Sequence, residues 1–220
     1  MKYNYALKIE NRNISEFYFS LLESKNKIIS TFLYDKDYNI YTVKLALFIF
    51  SFNLSLTINA LFFTDEAIYQ INQDKGSFNL STQISRIVYS TIISIIISYL
   101  VELLGYTHTS IIKLRYCKEI KKVKDNIPII IRILKIKIMT VFIIIIFFDI
   151  IFFYYITVFC SVYSIIQKHM INDSLISFLL SNTYSAILYM LASFIRIFSL
   201  KKKSKFRIIL YKISWIISLI

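Results

Sequence analysis

The chain has 220 residues, 57% of them hydrophobic, and a mean hydropathy of +0.61. This composition excludes an ordinary soluble domain, in which apolar residues seldom pass about half. Two glycines and one proline leave little turn chemistry for a β-rich fold. The net charge of +13 would suggest nucleic acid in a soluble protein. Here the basic residues flank long apolar runs, so anionic lipid headgroups are the expected partner and nucleic acid is not.

The first forty residues are polar and mixed in charge, with neither an early apolar core nor a small-residue cleavage site, so no cleavable signal peptide is expected. Insertion then relies on the first span as an internal anchor, and no lipidation motif follows Met1 or ends the chain. Within this cytosolic or interfacial segment (1–40), residues 14–33 read as an amphipathic helix. Ile14, Phe17, Leu21, Ile28 and Phe32 recur at helical spacing, interrupted by Lys25 and Lys27.

A four-span membrane domain follows over 41–197, with spans at about 41–63, 87–105, 138–163 and 175–197. Each approaches or exceeds the ~20 residues that cross a hydrocarbon core of ~30 Å. A barrel would need alternating strands of ~10 residues and more turn residues. The loop between spans two and three is basic and reads as helical over 110–124. Asp125 and Asn126 mark a stop before a new start at Ile127-Pro128. Arg132, Lys135 and Lys137 lead into span three, where long basic side chains can snorkel.

The last segment, 198–220, holds a polybasic stretch and an apolar run of thirteen residues, Ile208 to Ile220, too short to span. Arg207, Tyr211, Ser214 and Ser218 form a narrow polar stripe. The run is expected to be an interfacial helix, with Lys201, Lys202, Lys203, Lys205 and Arg207 touching anionic lipid. The fold class is therefore all-α: a four-helix transmembrane bundle with amphipathic N-terminal and C-terminal interfacial helices.

The charges orient it. Six basic residues lie in the first forty, nine between spans two and three and seven from Arg196 to Lys212, against only Lys75 in the stretch 64–83 and Lys168 in the gap after span three. The positive-inside rule places both termini and the middle loop in the cytosol or its equivalent, and an even span count agrees.

Asp149 is the most unusual residue, a carboxyl near the middle of span three inside IIIIFFDIIFFYY. Such a group costs ~2.5–3.5 kcal/mol on insertion scales. It could carry a proton or bind a cation. The favoured reading is a protonated acid hydrogen-bonded to a Ser, Asn or Tyr of a neighbouring helix, because no basic residue is placed at similar depth. In span two, Thr91, Ser94, Ser98, Glu102 and Gly105 fall on one helical face, a stripe suited to close helix packing or to a polar pathway ending at Glu102 near Lys113. Span one offers Ser51, Ser55 and Asn59 at spacing four, and a polar seam between spans one and two is expected.

No metal site or cofactor is expected, because the topology separates His108 from His169, in an outer loop, and Cys117 from Cys160. There is no Walker loop, GxGxxG, GxSxG or HExxH, and no catalytic constellation. Asn79-Leu80-Ser81 and Asn172-Asp173-Ser174 match the glycosylation sequon and are expected in outer loops.

The runs FYFSLLESKNKIISTF, DYNIYTVKLALFIFSF and INALFFTDEAIYQINQDKGSFN, then QISRIVYSTIISIIISYLVELL, FFYYITVFCSVYSIIQKHMINDSLISF and FIRIFSLKKKSKFRIILYKISWIISLI, together carry a resemblance. Over roughly residues 16–220 the chain resembles the C-terminal four-span membrane region of uncharacterised multi-pass proteins from protists with AT-rich genomes. The resemblance implies a shared four-span module, often at the end of a longer chain, and no activity. It also implies a proline and a glycine in span four, where this chain has Thr183-Tyr184-Ser185 and Leu191-Ala192-Ser193.

The function expected from all this is an integral multi-pass membrane protein acting as a structural, anchoring or assembly module without catalysis. Its partners would be the bilayer, other membrane subunits or a second copy of itself. The alternative is a channel or transporter subunit using Asp149 and the polar face of span two.

Overall fold

The computed structural model describes residues 3, 6, 7, 10–34, 38–73, 80–107, 111, 120–201 and 206–218. Every regular element among them is a helix: α1 (Ile14–Lys25), α2 (Lys27–Phe32), α3 (Tyr41–Leu61), α4 (Asp65–Gln73), α5 (Leu80–Gly105), α6 (Ile120–Val162), α7 (Gln167–Lys201) and α8 (Arg207–Ile217). Four of these, α3, α5, α6 and α7, are long and apolar enough to cross a membrane.

Three of the four outrun the expected spans. α5 begins at Leu80, α6 at Ile120 and α7 at Gln167, well before 87, 138 and 175. Hydropathy locates the apolar slab, whereas a helix continues for as long as its backbone bonds can be made. At ~1.5 Å per residue, α6 is about 65 Å long, roughly twice the hydrocarbon thickness. It also runs through Pro128 instead of starting there. A proline removes one N–H donor, and the helix continues past it on both sides. α7 runs unbroken through 183–185 and 191–193. His169 and the sequon Asn172-Asp173-Ser174, expected in an outer loop, lie on α7 with His169, Asp173 and Ser174 buried. Asn79, His108, Lys113 and Cys117 lie outside the described residues, as does most of the 110–124 segment.

The expected helix over 14–33 is two helices, broken at Asn26. Asn26 Oδ1 accepts the Ile29 N–H at 3.2 Å and starts α2, and α1 starts where Glu16 accepts the Asn13 N–H at 2.9 Å.

The chain divides into two compact units, residues 1–35 with 182–220, and residues 36–181. The division falls inside α7, so its last part belongs with the terminal segments.

In the 36–181 unit, α3 is the central helix. Val43, Leu47, Phe50 and Leu54 recur at helical spacing and pack against Val101 of α5 and Val141 and Ile145 of α6. Hydropathy and burial run in opposite directions here. The share of the apolar window that is buried is 56% for α3 (hydropathy 1.5), 33% for α5 (2.1) and 11% for α6 (2.7), with α7 departing at 1.5 and 22%. The most apolar helix is the most exposed, the order required when the surrounding solvent is hydrocarbon and the polar groups must turn inward. The four apolar helices are compatible with a multi-pass membrane protein.

Side-chain pairs fix the direction of each helix. Ser51 meets Ser98 and Asn59 meets Ser90, so α3 and α5 are antiparallel. Asn53 meets Asp149 and Phe63 meets Phe159, so α3 and α6 are parallel. The end of α5 is pinned three ways. Thr107 donates its N–H to Asn39 Oδ1 and its hydroxyl to the Tyr38 carbonyl, both at 2.9 Å, and Lys137 Nζ donates to the Tyr106 carbonyl at 2.7 Å. A lysine on the last carbonyls of a helix also complements its dipole.

Gly105 lies where this pinning brings α5 against α3. A Cβ there would stand 2.8 Å from Leu47 Cδ1 and 3.4 Å from Val43 Cγ1, both on buried side chains. Gly105→Val is expected to destabilise the protein by about 1–3 kcal/mol, read as a lower melting midpoint in detergent. An unchanged midpoint would mean that α5 does not approach α3 this closely.

Candidate functional site

The polar residues of α3, α5 and α7 meet in one seam. Ser98 Oγ donates to Ser51 Oγ at 3.1 Å, and Ser51 passes its own proton to the Leu47 carbonyl at 2.8 Å. Ser90 Oγ donates to Asn59 Oδ1 at 2.7 Å, while Asn59 Nδ2 donates to the Ser55 carbonyl at 2.8 Å. Ser177 of α7 joins the three helices. Its hydroxyl lies 2.7 Å from Thr91 Oγ1, and 3.5 Å from both Ser55 Oγ and Ser90 Oγ. All these side chains are buried, Asn59, Ser90 and Ser177 at 0% exposure.

The residues singled out in the sequence are thus placed unequally. Ser51, Ser55, Asn59, Thr91 and Ser98 are hydrogen-bonded in the seam. Ser94 faces it between Ser90 and Ser98, is 5% exposed, and its hydroxyl has no hydrogen-bond partner among the described residues. Glu102 is half-buried, one turn beyond Ser98. Asp149 is not in the seam. It projects from α6 to the opposite side of α3, where its Oδ1 accepts Asn53 Nδ2 at 3.1 Å. Sequence reasoning missed Asn53, Ser90 and Ser177. Ser90 stands four residues before Ser94, beside Thr91 at the start of the α5 stripe, and Ser177 stands four residues after Asp173; both spacings were readable.

At the end of the bundle where α3 stops and α5 begins, two more rungs continue the seam. Gln83 Nε2 lies 3.3 Å from His169 Nδ1. One turn on, Arg86 forms an ion pair with Asp173, whose side chain is fully buried. The Arg86 guanidinium also lies 3.8 Å above the Phe63 ring. Lys44 sits inside span one and Arg86 between the counted stretch 64–83 and span two, so neither entered the charge count. Lys44 is likewise buried, on α3.

In the other unit, Arg196 of α7 is held between two rings. Its guanidinium is 4.9 Å from the Phe17 centroid and 4.7 Å from that of Tyr211, with Nη2 donating to Tyr211 Oη at 3.2 Å. Glu10 is 3.8 Å from Arg196 Nε and grips Arg12 with both oxygens. That grip pushes the Arg12 guanidinium above its ordinary pKa and keeps it charged.

The polar stripe of α8 faces inward here: Tyr211, Ser214 and Ser218 are buried, and Ile208, Ile209, Trp215 and Ile216 are exposed. The serines make this inexpensive, because each returns its proton to its own helix, at Tyr211 O and Trp215 O. Of the lipid-contact residues, Arg207 is exposed, with its guanidinium 5.6 Å from the Tyr3 ring. Lys202, Lys203, Lys205 and the side chain of Lys201 lie outside the described residues.

No metal-holding group of three His, Cys, Asp or Glu occurs among the described residues. Comparison with protein-family models, with curated proteins and with solved structures finds no match.

The seam separates two substitutions that look alike on paper. Asn59→Ala removes a buried amide that bonds α5 and is expected to cost about 0.5–2 kcal/mol. Ser94→Ala removes a hydroxyl with no partner and is expected to leave the melting midpoint unchanged or raise it. Equal losses for both would contradict the hydrogen-bond assignment.

Proposed function

We propose that this chain is a structural, anchoring or assembly module of a membrane, without catalytic activity. The observation that carries the reading is the closure of the seam. Hydroxyls and amides from three helices bond to one another, in the manner of groups that hold helices together in lipid. Asp149 fits the same pattern, since its carboxyl meets the Asn53 amide on the neighbouring helix. The exposed flank of α6, including Ile143, Ile146, Ile150 and Phe153, is available to acyl chains or to the helices of a further subunit. The asymmetry of basic residues outside the apolar cores, twenty-two against two as counted in the sequence, supports an inner side for both termini, beside anionic headgroups.

The second reading, a channel or transporter subunit using Asp149 and the polar face of α5, draws on one observation: the unpartnered hydroxyl of Ser94 within the seam. Vesicles reconstituted with the protein distinguish the two. The structural reading predicts no proton or cation flux above that of empty vesicles. It also predicts that Asp149→Asn stays folded, because an amide oxygen can still accept from Asn53. Flux in the parent that Asp149→Asn abolishes would overturn it.

A further inference from the structure

We propose that the Asn53–Asp149 pair is half of an interface with a second copy of this chain, whose own Asn53 and Asp149 complete its hydrogen bonds. This rests on the assembly role proposed above and gives that role a partner.

Asn53 of α3 and Asp149 of α6 meet through one hydrogen bond, from Asn53 Nδ2 to Asp149 Oδ1 at 3.1 Å. Among the described residues it is the one hydrogen bond that either side chain makes. Asn53 therefore keeps its second amide N–H and its Oδ1, and Asp149 keeps Oδ2. Neither side chain is fully buried. The seam on the opposite side of α3 is closed by α5 and α7, whereas these groups open on the exposed flank of α3 and α6. Exposed apolar residues frame them: Ile49 one turn before Asn53, and Ile146 and Phe153 about one turn to either side of Asp149.

Acyl chains offer neither donor nor acceptor, and a polar group left unsatisfied at mid-depth is costly. A partner must therefore present polar groups at the same depth, and a second copy does so by symmetry. α3 and α6 are parallel, and Asn53 and Asp149 stand at one level, well inside both ends of α3. A two-fold axis along the membrane normal keeps every residue at its own depth and lays a patch on its own copy. Asp149 of each chain then meets the partner's Asn53. The chemistry is self-complementary with the acid in either state. A protonated Oδ2 donates to Oδ1 of the partner's Asn53, and an ionised Oδ2 accepts the spare amide N–H of the partner's Asn53. Ile49 and Ile146 also share a level, four residues before Asn53 and three before Asp149, so each packs on the partner's copy of the other.

The pair cannot turn inward to find other partners. Phe50 of α3 lies against Phe152 of α6 with centroids 5.9 Å apart, and Leu54 and Ile145 fill the contact beside it. On the other flank of α3, Phe52 meets Phe178 of α7 at 5.6 Å. Packing on both sides thus holds the free groups at the surface, and the interface forms without rearrangement of either chain.

Disulfide trapping between full-length chains in lipid vesicles tests this. Two single-cysteine chains, Ile49→Cys and Ile146→Cys, carry tags of different size in a Cys117→Ser, Cys160→Ser background and are reconstituted together. The control replaces Ile146→Cys by Ile151→Cys, which is also exposed but projects from the far side of α6 at a similar depth. A mixed cross-linked dimer is expected from the first combination and none from the control. Asp149→Asn, added to both chains, keeps the cross-link, because an amide supplies both a donor and an acceptor. Asp149→Leu loses it, in protein shown to be folded by its melting transition. Monomer throughout, the pair then facing acyl chains or a different subunit, overturns the inference. So does equal cross-linking in the control, its loss with Asp149→Asn, or its survival with Asp149→Leu. If Asp149→Leu does not fold, the contrast between Ile146→Cys and Ile151→Cys decides. A monomer without ion flux counts against this interface alone, whereas flux that Asp149→Asn abolishes in chains still cross-linked counts against the structural reading alone.

Discussion

The amide of Asn59 and the hydroxyls around it govern the rest of the 36–181 unit. In hydrocarbon there is no water to satisfy a buried donor or acceptor, so each must find a partner within the protein. Ser90 finds Asn59, Ser98 finds Ser51, and Ser177 stands among Ser55, Ser90 and Thr91. Those pairs set the register of α5 and α7 against α3. The register then brings Gly105 onto Leu47 and places Arg86 beside Asp173. A slip of one residue would turn these groups toward acyl chains. The apolar contacts around Val43, Leu47 and Phe50 add packing but little direction, because lipid tails are as apolar as leucine.

The distribution of polarity among the helices follows from the same constraint. α3 carries Ser51, Asn53, Ser55, Thr57 and Asn59 and is the most buried of the four apolar helices. α6 carries almost uninterrupted Ile and Phe through its middle and is the least buried. Asp149, the exception on α6, faces the amide of Asn53 on the central helix. In the other unit α8 obeys the same rule, with Tyr211 and Ser214 inward and Trp215 outward. An interfacial helix turned to water would show the reverse.

How much of this was legible depends on what each signal measures. Windows of Ile, Leu and Phe mark a slab of ~30 Å, so the four apolar helices and their number could be read directly. Their true ends could not, because Gln83, Arg86, His169 and Asp173 are polar enough to be taken for loop. They stay helical because they pair with one another across α5 and α7. The serine stripes of α3 and α5 were visible as spacing. The partner that unites them, Ser177, lies on a helix more than eighty residues away, and only the fold reveals the meeting. Asp149 was conspicuous for its depth, yet its partner Asn53 was not, since an asparagine in a span rich in Ser and Asn carries no mark of its own. The face that the stripe of α8 presents is likewise invisible to periodicity, which is the same for both orientations.

The central claim is that the seam is closed packing and not a water-filled path. Its most direct test is the reactivity of Ser94→Cys, at the middle of the seam, toward a small water-soluble thiol reagent in native-like membranes. The measurement uses a chain with Cys117 and Cys160 replaced by serine. A closed seam predicts that Ser94→Cys stays unmodified, like Ile96→Cys on the exposed apolar flank of α5, while Thr64→Cys, exposed beyond the end of α3, reacts fully. Modification of Ser94→Cys at a rate comparable to that of Thr64→Cys would show that water reaches the seam and would contradict the account.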